Sequence, residues 1–455
     1  MKKIFGVISI LVLVTLFLPA HSAVAQAPAP LLPVPEFPTC GFAPQGDGDG
    51  FLFCNPANKT DWILFAHGYV PPVPFLSPAD NLALAFQQLV LPDGTKLPDL
   101  VNSLGYGFAA STYNRTGLAV TNGIQSMTNL AGWIKAQNPA AKIYLVGASE
   151  GGLISTLIAE QTTTPFNGVV AACGPIGDFR KHVNYLGDFR VLFDYFFPNV
   201  FVDTNGHISP ITIPPGVIAD WLNGALSGDT KNSAYQTAVV NAMGASPSKS
   251  LELMRTSKAA FNPNDPNTIG ITALKVLNYD IVETDDARLV LGVQPFTNQR
   301  TWYFGSSNDL LLNKRVERVP PLGQPYNEAA TQAALAGYQT TGKLKRPLVT
   351  IQTLLDPEVP AWHQTLYRLK VFNQRSTMLY SGIPILRYGH CNFKPAELVL
   401  AFYLMVYKTT GRPMSLDQLK TALPDPASWE AFQSLKGSYD SGTMQTDPVA
   451  PPTQQ

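Results

Sequence analysis

The stretch KIYLVGASEGGLISTLIAE, residues 142–160, decides the fold that this sequence predicts. It begins with IYLV, an apolar run typical of a buried parallel strand, and ends in LISTLIAE, which continues as an amphipathic helix. Between them, Gly147-Ala148-Ser149-Glu150-Gly151 puts a serine on a sharp strand-to-helix turn. Such a turn holds the hydroxyl clear of the sheet, and the two glycines leave room for crowded backbone. The stretch therefore predicts a nucleophile elbow at Ser149, with an ordinary glycine-rich turn as the alternative.

Strands and helices alternate on both sides of this elbow. The runs 61–70 (DWILFAHGYV) and 105–113 (GYGFAASTY) are predicted strands, and 123–137 (GIQSMTNLAGWIKAQ) is a predicted helix leading into the elbow strand. A further buried strand is predicted at 166–175 (FNGVVAACGP). This alternation predicts an α/β fold with a mostly parallel sheet and helices on both faces, with ligands binding beyond the carboxyl ends of the strands.

Two late strands end in residues that complete a catalytic set. The run 346–360 (RPLVTIQTLLDPEVP) ends its strand at Asp356, and TMLYSGIPILRY is a second strand leading to His390. Nucleophile, acid and base then follow in the order Ser149, Asp356, His390, the order of the α/β-hydrolase triad. Asp178, which follows the strand after the elbow, is the competing acid.

The predicted strand at 61–70 ends in a loop suited to stabilising an oxyanion. It reads His67-Gly68-Tyr69, and a strand ending in this way is where a second oxyanion donor is expected. The backbone N–H groups of Tyr69 and Glu150 would then face the tetrahedral oxygen. His67 is expected to be a packed histidine that shapes the loop rather than a catalytic residue.

The alternation of strand and helix stops between residues 176 and 345. Helical patterns separated by breakers such as NPNDPN predict a predominantly helical cap inserted in the sheet domain. The opening of the insert is rich in aromatic residues. Packing between cap and core is favoured for them over direct contact with substrate. They are Phe193, Tyr195, Phe196, Phe197 and Phe201.

Four cysteines bear on the compartment and on the loops around the site. Three pairings are possible, and the spacing favours Cys40 with Cys54, leaving Cys173 and Cys391 to each other. Cys173 should lie at the carboxyl end of the strand beside the elbow strand, and Cys391 follows His390, so a bridge would pin the histidine loop. Two buried free thiols at these positions are the alternative. The absence of a CxxC pair gives no zinc pattern, so no metal is expected.

Composition and the chain ends bound the class of protein. The 455 residues include 32 Lys and Arg against 32 Asp and Glu, and this neutrality argues against a nucleic-acid partner. Residues 1–25 predict a signal peptide cleaved after Ala25, hence a secreted or periplasmic protein without a stable membrane anchor. Residues 26–39 form a proline-rich lead, and 441–455 are predicted to be a disordered tail.

With these motifs in place, the chain resembles secreted α/β-hydrolase-fold serine hydrolases of the esterase and lipase kind, with a large cap between the sixth and seventh strands. The core would comprise residues 40–175 and 346–440. The resemblance implies that Ser149 is the nucleophile, His390 the general base and then acid, and Asp356 the residue that orients His390. The HGY loop departs from the HGGG of many lipases and esterases, which leaves the substrate class open.

The sequence therefore predicts a carboxylic-ester hydrolase that acts through an acyl-enzyme, without a cofactor, on a small-molecule or polymeric ester. A serine peptidase of the prolyl-oligopeptidase type shares the triad order and is the first alternative, although no propeller repeat is visible. A polyester or lipid hydrolase, a hydrolase of oxidised carbon–carbon bonds, and a binding protein on an inactive hydrolase fold are further alternatives.

Overall fold

The computed structural model describes residues 36–44, 49–72 and 78–444. The predicted signal peptide lies outside the described residues, as do most of the proline-rich lead and most of the predicted tail. No helix in the described part of the chain combines the length and apolar composition that crossing a membrane would need.

The strands are β1 (Cys40–Pro44), β2 (Gly50–Cys54), β3 (Trp62–Ala66), β4 (Gly107–Ser111), β5 (Ile143–Ala148), β6 (Gly168–Ala172), β7 (Val202–Asp203), β8 (Gly206–His207), β9 (Leu348–Leu355) and β10 (Tyr380–Tyr388). The helices are α1 (Pro78–Gln87), α2 (Leu97–Ser103), α3 (Val120–Gln137), α4 (Glu150–Glu160), α5 (Phe179–Phe196), α6 (Pro215–Ser227), α7 (Ala234–Ala245), α8 (Pro247–Ser257), α9 (Thr268–Leu291), α10 (Asp309–Arg315), α11 (Glu328–Leu335), α12 (Trp362–Asn373), α13 (Pro395–Thr410), α14 (Leu416–Ala422) and α15 (Pro426–Asp440).

Eight of these strands form one sheet in the order β1-β2-β4-β3-β5-β6-β9-β10. Strand β2 is antiparallel to both β1 and β4, and every other neighbouring pair in this sheet is parallel. A mostly parallel sheet must be covered on both faces, because its strands are joined by helical crossovers. The exchange of β3 and β4 beside an antiparallel edge is the strand order of the α/β-hydrolase fold. The predicted fold class is confirmed.

Each strand divides its side chains between the two faces of the sheet. In β3, Ile63 and Phe65 point to one face, where they pack with residues of α2 and α13. Leu64 and Ala66 point to the other face, where they pack with residues of α3, α4 and α12. This alternation follows from the two-residue period of a strand, and it gives the sheet two separate apolar layers.

The helices α5 to α11 lie between β6 and β9 and add no strand to the main sheet. Their side chains form a third apolar cluster, which includes Phe189, Trp221 and Val276. The longest of them, α9, spans 24 residues. It ends at Gly292, whose φ of 66° is the left-handed conformation that glycine adopts at helix ends. The division into a core and a 176–345 cap remains a prediction.

Candidate active site

Ser149 occupies the turn between β5 and α4, with φ of 56° and ψ of −122°. Only glycine adopts positive φ without cost, so a serine in this conformation stores about 1–3 kcal/mol of strain. Glycine is required at the neighbouring positions Gly147 and Gly151, because a side chain at either one would collide with nearby backbone. A Cβ on Gly147 would collide with the carbonyl of Gly151, and one on Gly151 would collide with the carbonyl of Ala66. The predicted elbow geometry is therefore present around Ser149.

His390 lies in the loop after β10, and its Nδ1 is 2.7 Å from Oδ2 of Asp356. Asp356 follows β9 and is completely buried. Its Oδ1 accepts hydrogen bonds from the backbone N–H groups of Glu358 (2.9 Å) and Val359 (3.0 Å), and Gln352 Nε2 donates to Oδ2 at 3.1 Å. With both oxygens held in this way, the carboxylate fixes the orientation of the imidazole.

Asp178, the competing acid, caps a helix and does not contact His390 in the part of the chain that the structure describes. It is the N-cap of α5, where its Oδ1 accepts from the Lys181 N–H at 3.1 Å and from Gln339 Nε2 at 3.3 Å. An aspartate at this position satisfies one of the free N–H groups of the first helical turn. His390 Nδ1 donates its hydrogen bond to Asp356 instead.

The surroundings of His390 set its proton affinity. Burial lowers the pKa of the imidazole, but the negative charges of Asp356 and Glu358 outweigh this effect, so that the pKa lies above its ordinary value. Glu358 is itself held by Lys275 Nζ at 2.6 Å and by the Tyr279 hydroxyl at 2.9 Å. Lys275 acts in the opposite direction and lowers the pKa of His390.

A bidentate ion pair anchors the loop that carries His390. Arg387 donates to both carboxylate oxygens of Glu397 at 2.7 Å, and its Nη1 also donates to the carbonyl of Asn392 at 2.7 Å. Glu397 lies in the first turn of α13 and accepts from the Lys394 N–H at 2.8 Å. The loop is thus tied at both ends to a helix on one face of the sheet.

The loop of His67-Gly68-Tyr69 lies against the elbow. A Cβ on Gly68 would come within 2.9 Å of the Ser149 Cβ. The Gly68 N–H donates to Gln88 Oε1 at 2.6 Å, and Gln88 Nε2 donates to the Tyr69 carbonyl at 3.3 Å. The backbone N–H groups of Tyr69 and Glu150 have no acceptor among the described residues. They are the pair predicted to bind the oxyanion. Gln88 holds the loop that carries Tyr69.

His67 packs as expected. Its ring stacks on Tyr113 at 3.8 Å between centroids, and its Nδ1 lies 2.6 Å from the Gly68 carbonyl, which makes Nδ1 the protonated nitrogen. Burial lowers the pKa of this imidazole, so it is held neutral. Its contacts support the turn of the loop.

The carboxyl group of Glu150 is buried beneath the elbow. Burial raises the pKa of Glu150 well above its usual range, and the hydrogen bond that its Oε1 accepts from the Ala119 N–H at 2.8 Å only partly offsets this. Burial therefore favours the uncharged form of this carboxyl group. An uncharged carboxyl group here would not oppose a negative oxygen placed at the backbone N–H of Glu150.

The structure contains disulfides between Cys40 and Cys54 and between Cys173 and Cys391, the pairing that the spacing favours. The second bridge joins the end of β6 to the His390 loop, with 5.4 Å between the Cα atoms. The Cys391 sulfur is 3.5 Å from His390 Nε2. Ser149 Oγ and His390 Nε2 do not meet the geometry of a hydrogen bond with each other, a contact that in hydrolases often tightens only when substrate binds.

A cavity of 320 Å³ opens at these residues. Ser149, His390, Gly68, Tyr69 and Gln88 line one end of it. Most of the remaining walls are apolar side chains from the sheet, from α2, from α13 and from the loop before α2, and Tyr279 of α9 also lines the cavity. Volumes of this order are those of small-molecule binding sites.

The aromatic residues at the start of the insert do not line this cavity. Phe193, Phe196, Phe197 and Phe201 are buried in the apolar cluster of the insert, and Tyr195 packs against that cluster. These positions agree with a role in packing rather than in contact with substrate. The packing lies mostly within the insert, whereas the sequence predicts packing between the insert and the core.

Two groups of side chains among the described residues have the spacing of metal ligands. In the first, Cys173 and Cys391 are joined in a disulfide beside His390. In the second, Asp194, His207 and Glu317 converge in the insert, but both oxygens of Asp194 already accept from the Arg190 guanidinium. The sulfur atoms of the first group are therefore not available as ligands, and a positive charge already occupies the carboxylate of Asp194 in the second.

Comparison with known proteins finds no matching family model and no matching curated protein. Among solved structures, the chain is similar to an acylaminoacyl peptidase in complex with Z-Gly-Gly-Phe-chloromethyl ketone (10% identity, TM-score 0.36, 84% of this chain and 43% of that chain). It is also similar to feruloyl esterase B from Aspergillus oryzae (13%, 0.41, 82% and 81%) and to an esterase from Pyrococcus furiosus (11%, 0.36, 83% and 91%). The chain spans less than half the length of the peptidase. At these values the likeness does not identify an activity, and the fold assignment rests on the strand order.

Proposed function

We propose that this protein is a secreted serine hydrolase that cleaves carboxylic esters through an acyl-enzyme, with Ser149 as nucleophile, His390 as base and Asp356 as the orienting acid. The observation that carries the proposal is the 2.7 Å hydrogen bond between buried Asp356 and His390, beside a serine held in an elbow on the same cavity. Two disulfides in the described residues are compatible with an oxidising compartment.

Acylation would begin when Ser149 Oγ attacks the ester carbonyl carbon while His390 Nε2 takes the hydroxyl proton. The carbonyl oxygen becomes negative and receives hydrogen bonds from the backbone N–H groups of Tyr69 and Glu150. The carbon–oxygen bond to the alcohol then breaks, and His390 gives its proton to the departing alkoxide. The products of this half-reaction are the Ser149 ester and one alcohol.

Deacylation repeats the sequence with water. His390 removes a proton from a water molecule, the hydroxide adds to the acyl carbon, and the second tetrahedral intermediate collapses as His390 protonates Ser149 Oγ. The net reaction consumes one ester and one water and yields one acid and one alcohol. Throughout, Asp356 Oδ2 accepts from the Nδ1–H of His390 and stabilises the imidazolium.

A serine peptidase would use the same catalytic groups, so the choice between an ester substrate and a peptide substrate rests on the residues that line the cavity. The described lining residues include no Asp, Glu, Lys or Arg that could bind a peptide terminus or a charged side chain. Peptide groups would also lose their hydrogen bonds to water against these apolar walls. The lining therefore favours an ester of an apolar acid.

The test compares p-nitrophenyl esters with aminoacyl p-nitroanilides, using the protein without residues 1–25. We expect ester hydrolysis that falls about 10⁴- to 10⁶-fold in Ser149→Ala and in His390→Ala. Anilide hydrolysis with inert esters would refute the ester proposal and favour the peptidase. A variant of either residue that keeps more than a tenth of the activity would exclude that residue from the mechanism.

A further inference from the structure

We propose that the cavity beneath Ser149 is an acyl-binding slot inside the sheet domain that accepts unbranched, medium-chain aliphatic acyl groups. This inference rests on the proposed function and names the substrate class of that same site. Its first support is the position of the cavity, which descends from the nucleophile along one face of the sheet.

The strand register gives the depth of the slot. Ile63, one of its lining residues, pairs with Phe108 on one side and with Tyr144 on the other. Tyr144 lies four residues before Ala148, where β5 ends, and a strand rises about 3.3 Å per residue. The lining residues therefore extend roughly 13 Å below the edge of the sheet that carries Ser149.

The walls of the slot are apolar along this depth. The sheet contributes Ile63 and Phe108, while α2 contributes Val101 and α13 contributes Val399. The polar side chains among the described lining residues belong to the end where the reaction would occur, and they are those of Ser149, His390, Tyr69, Gln88 and Tyr279. This division fits a molecule with one reactive polar end and one long apolar end.

The deep end is closed by buried side chains. Ile63 and Leu104 are 2% exposed, and Phe108 is 1% exposed. An alcohol released there would have to leave past the acyl group on Ser149 Oγ before water could reach that group. An acyl group has no such need, because it stays bonded to Ser149 Oγ until deacylation. The slot thus suits the acyl part of the ester, and the alcohol part would face the open end.

The same walls discriminate between kinds of acyl group. A hydroxylated aromatic acid would carry its hydroxyl to the deep end, where the described lining residues offer no hydrogen-bond partner. Burying a hydroxyl without a partner is costly, whereas each buried methylene is favourable by about 0.8 kcal/mol, which is a factor of about four in kcat/KM. An aliphatic chain should therefore gain affinity for every carbon that enters the slot.

The experiment measures kcat/KM for p-nitrophenyl acetate, butyrate, hexanoate, octanoate and palmitate. We expect a rise of about fourfold per methylene until the slot is filled, then a fall at palmitate. Ethyl octanoate should be a better substrate than octyl acetate, and methyl ferulate should be a poor one. Acetate turnover with no rise toward octanoate would overturn the slot and leave the proposed function standing. A preference for octyl acetate would also overturn it.

A substitution within the slot tests its location. Val101→Phe should lower the octanoate-to-acetate ratio of kcat/KM at least tenfold, because the larger ring occupies space that methylenes would fill. Val217→Phe is the matched control, since Val217 is also a buried valine in a helix but lies in the apolar cluster of the insert. Its ratio should equal that of the wild type. Equal ratios in both variants would refute the assignment.

Two further measurements do not depend on the folding of Val101→Phe, and the second of them does not depend on turnover. Leu100→Ala enlarges the slot and should move the preferred chain length upward, whereas an unchanged optimum would contradict the proposal. Calorimetry with Ser149→Ala should detect binding of octanoate and none of acetate. Octanoate binding without any ester hydrolysis by the wild type would refute the proposed function alone. Failure of both would refute the two proposals together.

Discussion

His390 Nδ1 lies 2.7 Å from Asp356 Oδ2, and the two oxygens of this buried carboxylate have further partners in Gln352 and in two backbone N–H groups. The imidazole is therefore held in one tautomer, with Nδ1 protonated and Nε2 unprotonated. Asp356 and His390 lie in loops after different strands, and the parallel sheet brings them to the same edge.

The first prediction concerns the choice of acid. Asp356→Asn should reduce kcat by about 10⁴-fold, because an asparagine amide favours the wrong tautomer of His390. Asp178→Asn should change kcat little, because asparagine also caps a helix and Asp178 contacts α5 rather than His390. Steady-state kinetics of the two variants, with circular dichroism to verify folding, make the comparison. A larger loss in Asp178→Asn would assign the acid to the strand after the elbow.

The second prediction concerns pH. Activity requires neutral His390, and its pKa lies above the ordinary value of about 6.5, so kcat/KM should fall as pH drops through a value above 6.5. Glu358→Gln removes a negative charge that favours the imidazolium, and should shift this acidic limb to lower pH. Lys275→Met removes a positive charge and should shift it to higher pH. The measurement is kcat/KM across pH for the three proteins.

Shifts of the same sign in both variants would show that charge at these positions does not control His390. A profile that stays flat from acidic to neutral pH in the wild type would be more serious, because it would argue against a histidine base altogether.

The third prediction concerns Gln88, which fixes the loop before Tyr69. Gln88→Leu keeps a side chain of similar size but loses all three hydrogen bonds to the loop. The Tyr69 N–H should then be poorly placed, and the loss of one oxyanion donor costs about 10²- to 10³-fold in kcat. Because the donor acts in the transition state, KM should change much less than kcat. A rise in KM at constant kcat would instead assign Gln88 to substrate binding.

The fourth prediction concerns the disulfide between Cys173 and Cys391. It closes a loop of 218 positions, for which the chain-entropy model gives about 5 kcal/mol of stability, against about 3 kcal/mol for the 14-position loop of Cys40 and Cys54. The double variant Cys173→Ala/Cys391→Ala should lose both stability and activity, since the bridge holds the His390 loop. The control Cys40→Ala/Cys54→Ala should lose stability and keep kcat.

Calorimetric melting and ester kinetics measure these two effects. Thiol labelling of the unfolded, unreduced protein should find no free cysteine, and labelling at Cys173 and Cys391 would refute the bridge. Full activity in Cys173→Ala/Cys391→Ala would show that the bridge does not position His390.

Much of the fold follows from local patterns in the sequence. The elbow at Ser149 combines a strand, a helix and two glycines within a few residues, and the positions of Asp356 and His390 follow from being next to strands. The insert is predicted to be predominantly helical, but the bounds of a helix such as α9 are harder to predict, because β-branched residues such as Thr272 and Val276 have a lower helix propensity.

The supporting residues of the site are harder to predict, because they act through contacts between distant segments. Glu358 has a signal, since it lies two residues after Asp356. Gln88 has no such signal in the sequence. It is an ordinary glutamine that follows a helix, and its partner Gly68 lies 20 positions earlier in the chain. Lys275 and Tyr279 lie one turn apart on α9, and their role at the site depends on how the insert packs on the sheet. The slot likewise depends on packing between layers.

The most direct test of the central claim is covalent labelling of Ser149 by a fluorophosphonate probe, which reacts with a serine only when a neighbouring base activates it. After digestion, mass spectrometry should locate a single adduct on the peptide that contains Ser149, with none in Ser149→Ala and much slower labelling in His390→Ala. An adduct on another residue, or labelling of Ser149→Ala at the wild-type rate, would contradict the account.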